Sequence, residues 1–410
     1  MGTLWHPFAD MGAVERDGEF VISRGEGCHV YDADGTRYLD ATAGLWFTNV
    51  GHGRTELAKV AARQMSTLAA YSTFGDYATA PALELADRLA GIAPMPGSKV
   101  FLTSGGSDSV DTAAKLARRY WHQVGQPSRT MLIGRSKAYH GMHYAGTALA
   151  GIPGNREGHG ELVPDAATVE WDNADDLRAT IERVGPERVA AFFCEPVIGA
   201  GGVYPPPEGY LTEVRKVCTE YDVLFVADEV VTGYGRIGGS WFASTRFGLE
   251  PDIVTTAKGL TSGYLPMGAV LIAPRVWEPF FHADAGVWWR HGYTYSGHAT
   301  ASAVALANLA ILEREGLLDE AARLETSLTE ALSPLADHER VSEVRCGTGA
   351  LAAVQLADPG EAMGLAKTLR GLGVATRAVG AGGIQISPAL VMTDEQVTEL
   401  ANALSTALDT

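Results

Sequence analysis

The chain is organised around one stretch, DIVTTAKGLTSGYLPMGAVLI, which spans residues 252–272. An apolar run stands at each end of it, and both runs have the length and composition of buried strands. Lys258 directly follows the first run and precedes a loop rich in glycine. Ligands of open α/β sheets bind at strand ends, and a partly desolvated lysine there is a better nucleophile than one in water. The stretch therefore predicts a reactive amine, with an ordinary surface lysine as the alternative.

A second apolar run, residues 223–228, ends in Asp228 and predicts another buried strand. A carboxylate so close to a buried sheet needs a partner, because an unpaired buried charge is costly. A protonated pyridine nitrogen is one such partner. A lysine able to form a Schiff base, together with an aspartate for a pyridinium nitrogen, indicates pyridoxal phosphate chemistry.

A third apolar run passes through Ser104-Gly105-Gly106-Ser107 into a segment with helical periodicity. The apolar residues with that period are Val110, Ala113, Ala114, Ala117 and Trp121. Glycines before a helix allow close approach to its free N–H groups, and this geometry binds anions such as phosphate. The alternative is an ordinary serine-capped helix after a glycine turn.

These motifs belong to a larger set, and with it the sequence resembles the class III pyridoxal-phosphate-dependent aminotransferases. The resemblance is strongest to their ω-amino acid:pyruvate (ω-transaminase) branch and covers nearly the whole chain. The shared motifs occur in family order: LWHPF at 4–8, GLWFTNVGHGR at 44–54, TSGGS at 103–107, YHG at 139–141, EPVIGAGG at 195–202, DEV at 228–230, AKG at 257–259 and HGYTYSGH at 291–298.

The resemblance implies a role for each matching residue. Lys258 and Asp228 would be catalytic, Tyr139 and Val230 would cover opposite faces of the cofactor ring, and Thr294 would reach the cofactor phosphate of the neighbouring subunit. The full set of implied cofactor contacts is Gly105, Gly106, Ser107, Tyr139, His140, Glu195, Asp228, Val230, Lys258 and Thr294. The implied substrate contacts are Trp46, Phe47, Tyr139 and Arg377. Trp46 has a second interpretation, as plain core.

Arg377 matches the mobile arginine that, in the ω-transaminase branch, clamps a substrate carboxylate. A guanidinium suits this role because it binds a carboxylate bidentately and stays charged. The alternative is an exposed, solvated arginine. Gln385 stands where the branch acting on γ-aminobutyrate or ornithine with 2-oxoglutarate has an arginine. This difference favours pyruvate as the acceptor.

The arrangement of apolar runs predicts an α/β fold. The runs at 98–103, 129–133, 189–194, 223–228, 252–256 and 268–273 alternate with helical patterns, which favours a mainly parallel sheet covered on both faces. The last two runs are too close for a crossover helix, so we expect one antiparallel edge. The resemblance implies the aspartate-aminotransferase type of fold (PLP fold type I). Residues 1–51 would pack with the small domain, 52–311 would form the large cofactor-binding domain, and 312–410 the small domain.

Composition excludes several partners. The formal charge of −17 argues against nucleic acid and anionic membranes. No apolar run reaches the length of a membrane span, and no secretory leader pattern is present. The four cysteines are scattered, as in a reduced cytoplasmic protein, and no metal site is expected. The predicted partners are a small amino donor, a keto acid acceptor and a second copy of the chain, in a homodimer with shared active sites.

The predicted function is a pyridoxal-phosphate-dependent transaminase that moves an amino group from an ω-amino acid or amine to pyruvate. It would work by a ping-pong mechanism through pyridoxamine phosphate. A decarboxylase, an aminomutase or a non-catalytic module binding the same cofactor are alternatives. A further alternative is an NAD-dependent oxidoreductase, because residues 233–238 fit the pattern G-x-G-x-x-G.

Overall fold

The computed structural model describes residues 3–282 and 286–410. Its strands are β1 Ile22–Glu26, β2 His29–Asp32, β3 Arg37–Asp40, β4 Lys99–Thr103, β5 Met131–Arg135, β6 Ala166–Val169, β7 Val189–Cys194, β8 Leu224–Asp228, β9 Ile253–Thr256, β10 Gly268–Ile272, β11 Val341–Arg345, β12 Ala352–Leu356, β13 Val374–Ala375, β14 Ala378–Val379 and β15 Gly383–Ile386. Its helices are α1 Met11–Asp17, α2 Ala43–Trp46, α3 Thr55–Leu68, α4 Ala80–Ile92, α5 Gly106–Gln123, α6 Tyr144–Leu149, α7 Ala174–Val184, α8 Tyr210–Glu220, α9 Ala243–Arg246, α10 Pro274–Phe281, α11 Ala299–Arg314, α12 Leu317–Leu332, α13 Ala362–Gly371 and α14 Asp394–Leu408.

The centre of the molecule is a seven-stranded sheet in the order β4-β10-β9-β8-β7-β5-β6. Every residue of β7, β8, β9 and β10 is buried, because helices cover both faces of the sheet. This confirms the predicted α/β class. The six predicted strands are all present, whereas β6 was not expected.

The predicted antiparallel edge is wrong in position. Strand β10 is the antiparallel one, and it lies between β9 and β4, one place inside the edge. The short connection from β9 to β10 does produce an antiparallel pair, as expected. However, β4 comes from far earlier in the chain and pairs with the outer side of β10, so β4 forms the edge.

The parallel strands bring the two chemically important strand ends together. Asp228 is the last residue of β8 and is paired in register with Thr255 of β9. Lys258 follows β9 by two residues. Because β8 and β9 are parallel, both residues lie at the same edge of the sheet.

There are two smaller sheets among the described residues, and one of them joins N-terminal strands to a C-terminal strand. Strands β2 and β3 form an antiparallel hairpin, with Gly35 at φ +85° in the turn. Strand β3 also pairs in parallel with β13. The other small sheet has the order β11-β12-β15-β14. The domain division stays a prediction, and its boundary at residues 311/312 falls within α11.

The last helix shows how local sequence sets an element. The Thr393 side chain accepts from the Gln396 backbone N–H, and the Gln396 side chain accepts from that of Thr393, so the two residues form a capping box at the start of α14. In the described part of the chain the four cysteines are unpaired. No described helix is both long and apolar enough to cross a membrane.

Candidate active site

A cavity of about 310 Å³ opens at the edge of the sheet where β8 and β9 end. It brings together most of the predicted site residues, although they come from distant parts of the sequence. Those lining it are Phe47, Gly105, Gly106, Ser107, Tyr139, His140, Glu195, Asp228, Val230 and Lys258. Trp46 and Arg377 lie beside the cavity, whereas Thr294 lies elsewhere.

Lys258 begins a single 3₁₀ turn, Lys258–Leu260, and has φ +41°. This left-handed backbone is unusual for a residue with a side chain. Asn308 stabilises the turn, because its Nδ2 donates to the carbonyls of Gly259 at 2.8 Å and Leu260 at 3.0 Å. The turn directs the Lys258 side chain into the cavity, where it can act as a nucleophile.

Burial lowers the pKa of Lys258 below its ordinary value of 10.5, although the carboxylates of Asp228 and Glu195 act in the opposite direction. The uncharged amine is the nucleophilic form, and lowering the pKa makes that form available at lower pH.

This shift predicts the pH dependence of cofactor capture. Cofactor-free protein mixed with pyridoxal phosphate should form its covalent link at a rate that rises with pH, with a midpoint below the ordinary lysine pKa of 10.5, because burial lowers the pKa of Lys258. Stopped-flow absorbance against pH measures this rate, with N-acetyl-lysine as the reference amine of ordinary pKa. An identical midpoint for the protein and the reference would contradict the prediction.

Asp228 also lines the cavity, and its carboxylate is held firmly in place. Its Oδ2 lies 2.7 Å from His140 Nδ1, and its Oδ1 accepts from the Val230 N–H at 3.1 Å. His140 Nε2 is buried and has no partner among the described residues. His140 therefore orients the Asp228 carboxylate, and the carboxylate keeps further lone pairs for a cationic ligand.

The third wall is the beginning of α5. Gly105 precedes the helix in extended conformation, and Gly106 is its first residue. A Cβ on Gly106 would lie 2.9 Å from Val230 Cγ1, so Val230 can pack over the helix start only because Gly106 lacks a side chain. The Ser107 hydroxyl faces the same space and accepts from the Met142 N–H at 3.1 Å. A helix N-terminus with a serine and closely packed glycines suits a phosphate.

Glu195 joins the cavity wall to the loop that carries Tyr139. One carboxylate oxygen accepts from the Tyr139 N–H and the other from the Gly199 N–H, each at 2.9 Å. Burial raises the pKa of Glu195, while these N–H groups and nearby His140 favour the charged form. Glu195 directly follows β7, which ends at Cys194, and it lines the cavity.

Trp46 is only 3% exposed and lies close to both Lys258 and Arg377. The centroid of its indole ring is 4.6 Å from Arg377 Cζ and 5.9 Å from Lys258 Nζ. Its φ of +59° lies in the left-handed region, as does the φ of +46° at Ala43. Trp46 is thus both buried and adjacent to the site, and the turn around it is strained.

Sequence reasoning missed the group that holds this turn. The buried carboxylate of Asp40 accepts from the backbone N–H of Thr42 at 3.0 Å and of Gly44 at 2.7 Å. His52 Nε2 lies 2.8 Å from Asp40 Oδ2 and completes the arrangement. The only available signal in the sequence was the position of Asp40 shortly before Gly44-Leu-Trp46.

Thr294 lies outside the cavity, in a surface pocket with Tyr71 and Phe74.

The Gly233–Gly238 run does not form a dinucleotide site. It folds as turns after β8, and Gly235 is packed so closely that a Cβ would lie 2.6 Å from Leu318 Cδ2. The glycines therefore pack against α12 and do not open a helix toward a ligand, so the oxidoreductase alternative is wrong.

A lysine, an aspartate, a helix N-terminus and flanking Tyr139 and Val230 together fit an aromatic aldehyde that carries a basic ring nitrogen and a phosphate. The fold and the site thus define a pyridoxal-phosphate enzyme of fold type I. Comparison with known proteins gives the family. The family model for class III aminotransferases matches residues 11–408.

Two curated relatives and one solved structure illustrate the similarity. The putrescine–pyruvate aminotransferase of Pseudomonas aeruginosa is 40% identical, over 98% of this chain and 93% of the relative. The β-alanine–pyruvate aminotransferase of the same organism is 35% identical, over 86% and 82%. The omega transaminase of Pseudomonas jessenii in complex with PMP has a TM-score of 0.95 and 36% identity, over 99% and 96%. The chain belongs to the class III aminotransferases, and its cofactor is pyridoxal phosphate.

Proposed function

We propose that this enzyme transfers an amino group from an ω-amino acid or an amine to pyruvate. The observation that carries the proposal is the shared cavity, which is lined by Lys258, by Asp228 and by the start of α5. The relatives named for putrescine and β-alanine, both with pyruvate, support the substrate classes. The PMP complex of the P. jessenii enzyme supports a ping-pong mechanism.

The cavity residues have distinct roles in this proposal. The N–H groups at the start of α5 and the Ser107 hydroxyl bind the cofactor phosphate. Tyr139 and Val230 pack on the two faces of the ring. Asp228, oriented by His140, keeps a proton on the ring nitrogen. When bound, the cofactor supplies an electron sink for the carbon that carries the amino group.

Lys258 has two tasks, which are separated in time. Its Nζ holds the cofactor covalently until a donor amine displaces it. As a free amine it then removes the proton from the donor carbon, and burial, which lowers its pKa below the ordinary value, favours this uncharged form. Glu195 holds the Tyr139 loop in place during both stages.

The cavity wall accounts for donors with and without a carboxylate. Phe47 lines the cavity with apolar surface. The guanidinium of Arg377 lies beside the cavity and packs against Trp46. A guanidinium binds a carboxylate bidentately, whereas an apolar wall suits an unsubstituted amine. The second carboxylate of glutamate would need a second arginine as its partner, and position 385 carries glutamine instead. We therefore favour pyruvate over 2-oxoglutarate.

A substrate panel tests this function directly. Each donor among β-alanine, taurine, putrescine and an aryl-ethylamine is mixed with the cofactor-loaded enzyme in a single turnover, and loss of the visible band of the lysine-bound cofactor is followed. Pyruvate should then restore the band and yield alanine, at least about 10-fold more efficiently than 2-oxoglutarate, since the second carboxylate of 2-oxoglutarate finds no charge partner. Release of carbon dioxide without alanine would identify a decarboxylase instead.

We also propose a cytoplasmic homodimer with shared active sites. Thr294 lies in a pocket whose aromatic residues are largely exposed in a single chain, with Tyr71 54% and Phe74 54% accessible. Exposed aromatic groups of this size mark interaction surfaces. In a dimer, Thr294 of one subunit would contact the cofactor phosphate of the other.

Mixed dimers test the sharing. Thr294→Ala and Lys258→Ala chains are each expected to be impaired. Refolding them together should restore about one quarter of the wild-type activity of the same amount of protein, because about half of the dimers are mixed and one of the two sites in each mixed dimer has both native residues. Activity is measured after co-refolding, with each chain refolded alone as the control. A mixture no more active than the average of the two separate chains would contradict shared sites, and a monomeric mass in light scattering would contradict the dimer.

A further inference from the structure

Gln385 is fully buried on β15, next to the arginine at the cavity wall. Its Oε1 accepts from Arg377 Nε at 2.7 Å, and its Nε2 donates to Ser387 Oγ at 2.7 Å. The backbone N–H of Gln385 also donates to the Arg377 carbonyl at 3.0 Å. Both ends of the carboxamide are thus hydrogen-bonded, the oxygen to Arg377 and the nitrogen to Ser387.

Ser387 connects this pair to the strained turn that carries Trp46. The Ser387 hydroxyl donates to the Thr42 carbonyl at 3.3 Å, and the Ser387 N–H donates to the Ala41 carbonyl at 2.7 Å. Trp46, four residues further on, stacks on Arg377. The contacts therefore form a closed ring from Arg377 through Gln385, Ser387 and the Thr42 turn back to the face of Trp46.

This ring fixes the guanidinium from two directions. Trp46 covers one face of the planar group, and Gln385 engages its Nε edge. Among the described residues, the Arg377 side chain has hydrogen bonds only to Gln385 and no ion pair. Its two terminal nitrogens therefore stay available, and they are the pair that binds a carboxylate bidentately.

We propose that Gln385 is a positioning residue that holds Arg377 ready for substrate carboxylates and so sets the preference between carboxylate-bearing and carboxylate-free donors. A carboxamide is suited to this task because it accepts from Nε without neutralising the guanidinium. A carboxylate at the same position would occupy the arginine as an ion pair and compete with the substrate. The inference deepens the proposed function and rests on it, since it concerns the donors of that reaction.

A double-mutant cycle measured by ligand binding tests the inference, and the KM of a donor without a carboxylate serves as its control. The dissociation constant of butanoate, which has the carboxylate but no amine, is measured by ligand-observed NMR on the cofactor-loaded protein. Gln385→Met should raise it by about 10-fold, because the arginine loses its charge-assisted hydrogen bond and its fixed position. In an Arg377→Met background, the same change should have no further effect. The KM of an aryl-ethylamine should stay within about 2-fold throughout.

Gln355→Met is the matched control. Gln355 lies on neighbouring β12, and its Oε1 likewise accepts from an arginine, Arg345 Nη2 at 2.9 Å, but it does not line the cavity. The substitution Gln355→Met should leave butanoate binding unaltered.

Gln385→Glu is the second variant, to be used if Gln385→Met does not fold. It should also weaken butanoate binding because the new carboxylate pairs with Arg377.

The inference is overturned if the Gln385 variants bind butanoate as tightly as wild type. It is also overturned if Gln385→Met weakens binding equally with and without Arg377, since the effect would then be a general disturbance of the wall. These outcomes are separate from the substrate panel, because butanoate binding does not depend on which donor reacts.

Discussion

Replacement of Lys258 by alanine is expected to lower kcat/KM for every donor by about 10⁴-fold or more. The substitution removes both the covalent anchor of the cofactor and the base that moves the proton at the donor carbon. The surrounding cavity should persist, because the turn at Lys258–Leu260 is held by Asn308 through backbone carbonyls and not through the lysine side chain. Steady-state assays with pyruvate measure the loss.

Lys137→Ala is the appropriate control for this variant. Lys137 also has a left-handed backbone, with φ +63°, and its Nζ lies 3.9 Å from the Tyr204 ring centroid, but it does not line the cavity. Activity of Lys137→Ala near wild type, beside an inactive Lys258→Ala, would assign the loss to the amine. If Lys258→Ala kept more than about one hundredth of wild-type activity, the role of Lys258 as proton carrier would be wrong.

Asp228→Asn is expected to lower the rate of the first half-reaction by about 10²-fold or more. An amide carries no charge to keep the ring nitrogen protonated, so the developing charge at the donor carbon loses its main stabilisation. The shape of the wall should change little, because an asparagine can still meet His140 and the Val230 N–H. Single-turnover absorbance with a good donor measures the rate.

A second buried aspartate in the same strand pair provides the comparison. Asp252 lies at the opposite end of β9 and accepts from the Phe225 N–H at 2.8 Å and from Arg215 Nη1 at 3.1 Å. Asp252→Asn should lower the thermal stability while leaving the half-reaction nearly unchanged. Equal losses of rate in the two variants would show that Asp228 acts only through stability.

The sequence predicted those parts of the site that lie within continuous motifs. Lys258 and Asp228 could be placed together because each directly follows a buried apolar run, and parallel strands end at one edge of the sheet. The start of α5 was predictable for a similar reason, since glycine spacing and helical periodicity are local. Strand β6 was missed because it is short and only Val169 in it is fully buried.

Contacts between distant segments could not be predicted in the same way. Gln385 was identified as a departure from another branch, yet nothing in the sequence shows that it hydrogen-bonds to Arg377 or that Ser387 reaches the Thr42 turn. The position of β10 inside the sheet likewise depends on β4, which lies far away in the chain. These features follow from tertiary packing, and local patterns carry no record of it.

The central claim is that Lys258 carries the cofactor, and it is tested most directly by locating the covalent attachment. The enzyme is loaded with pyridoxal phosphate, reduced with borohydride and digested, and the modified peptide is sequenced by mass spectrometry. A single modified lysine, Lys258, is expected, and the Lys258→Ala protein should carry no modification. Covalent cofactor on any other lysine of the wild-type enzyme, with Lys258 unmodified, would contradict it.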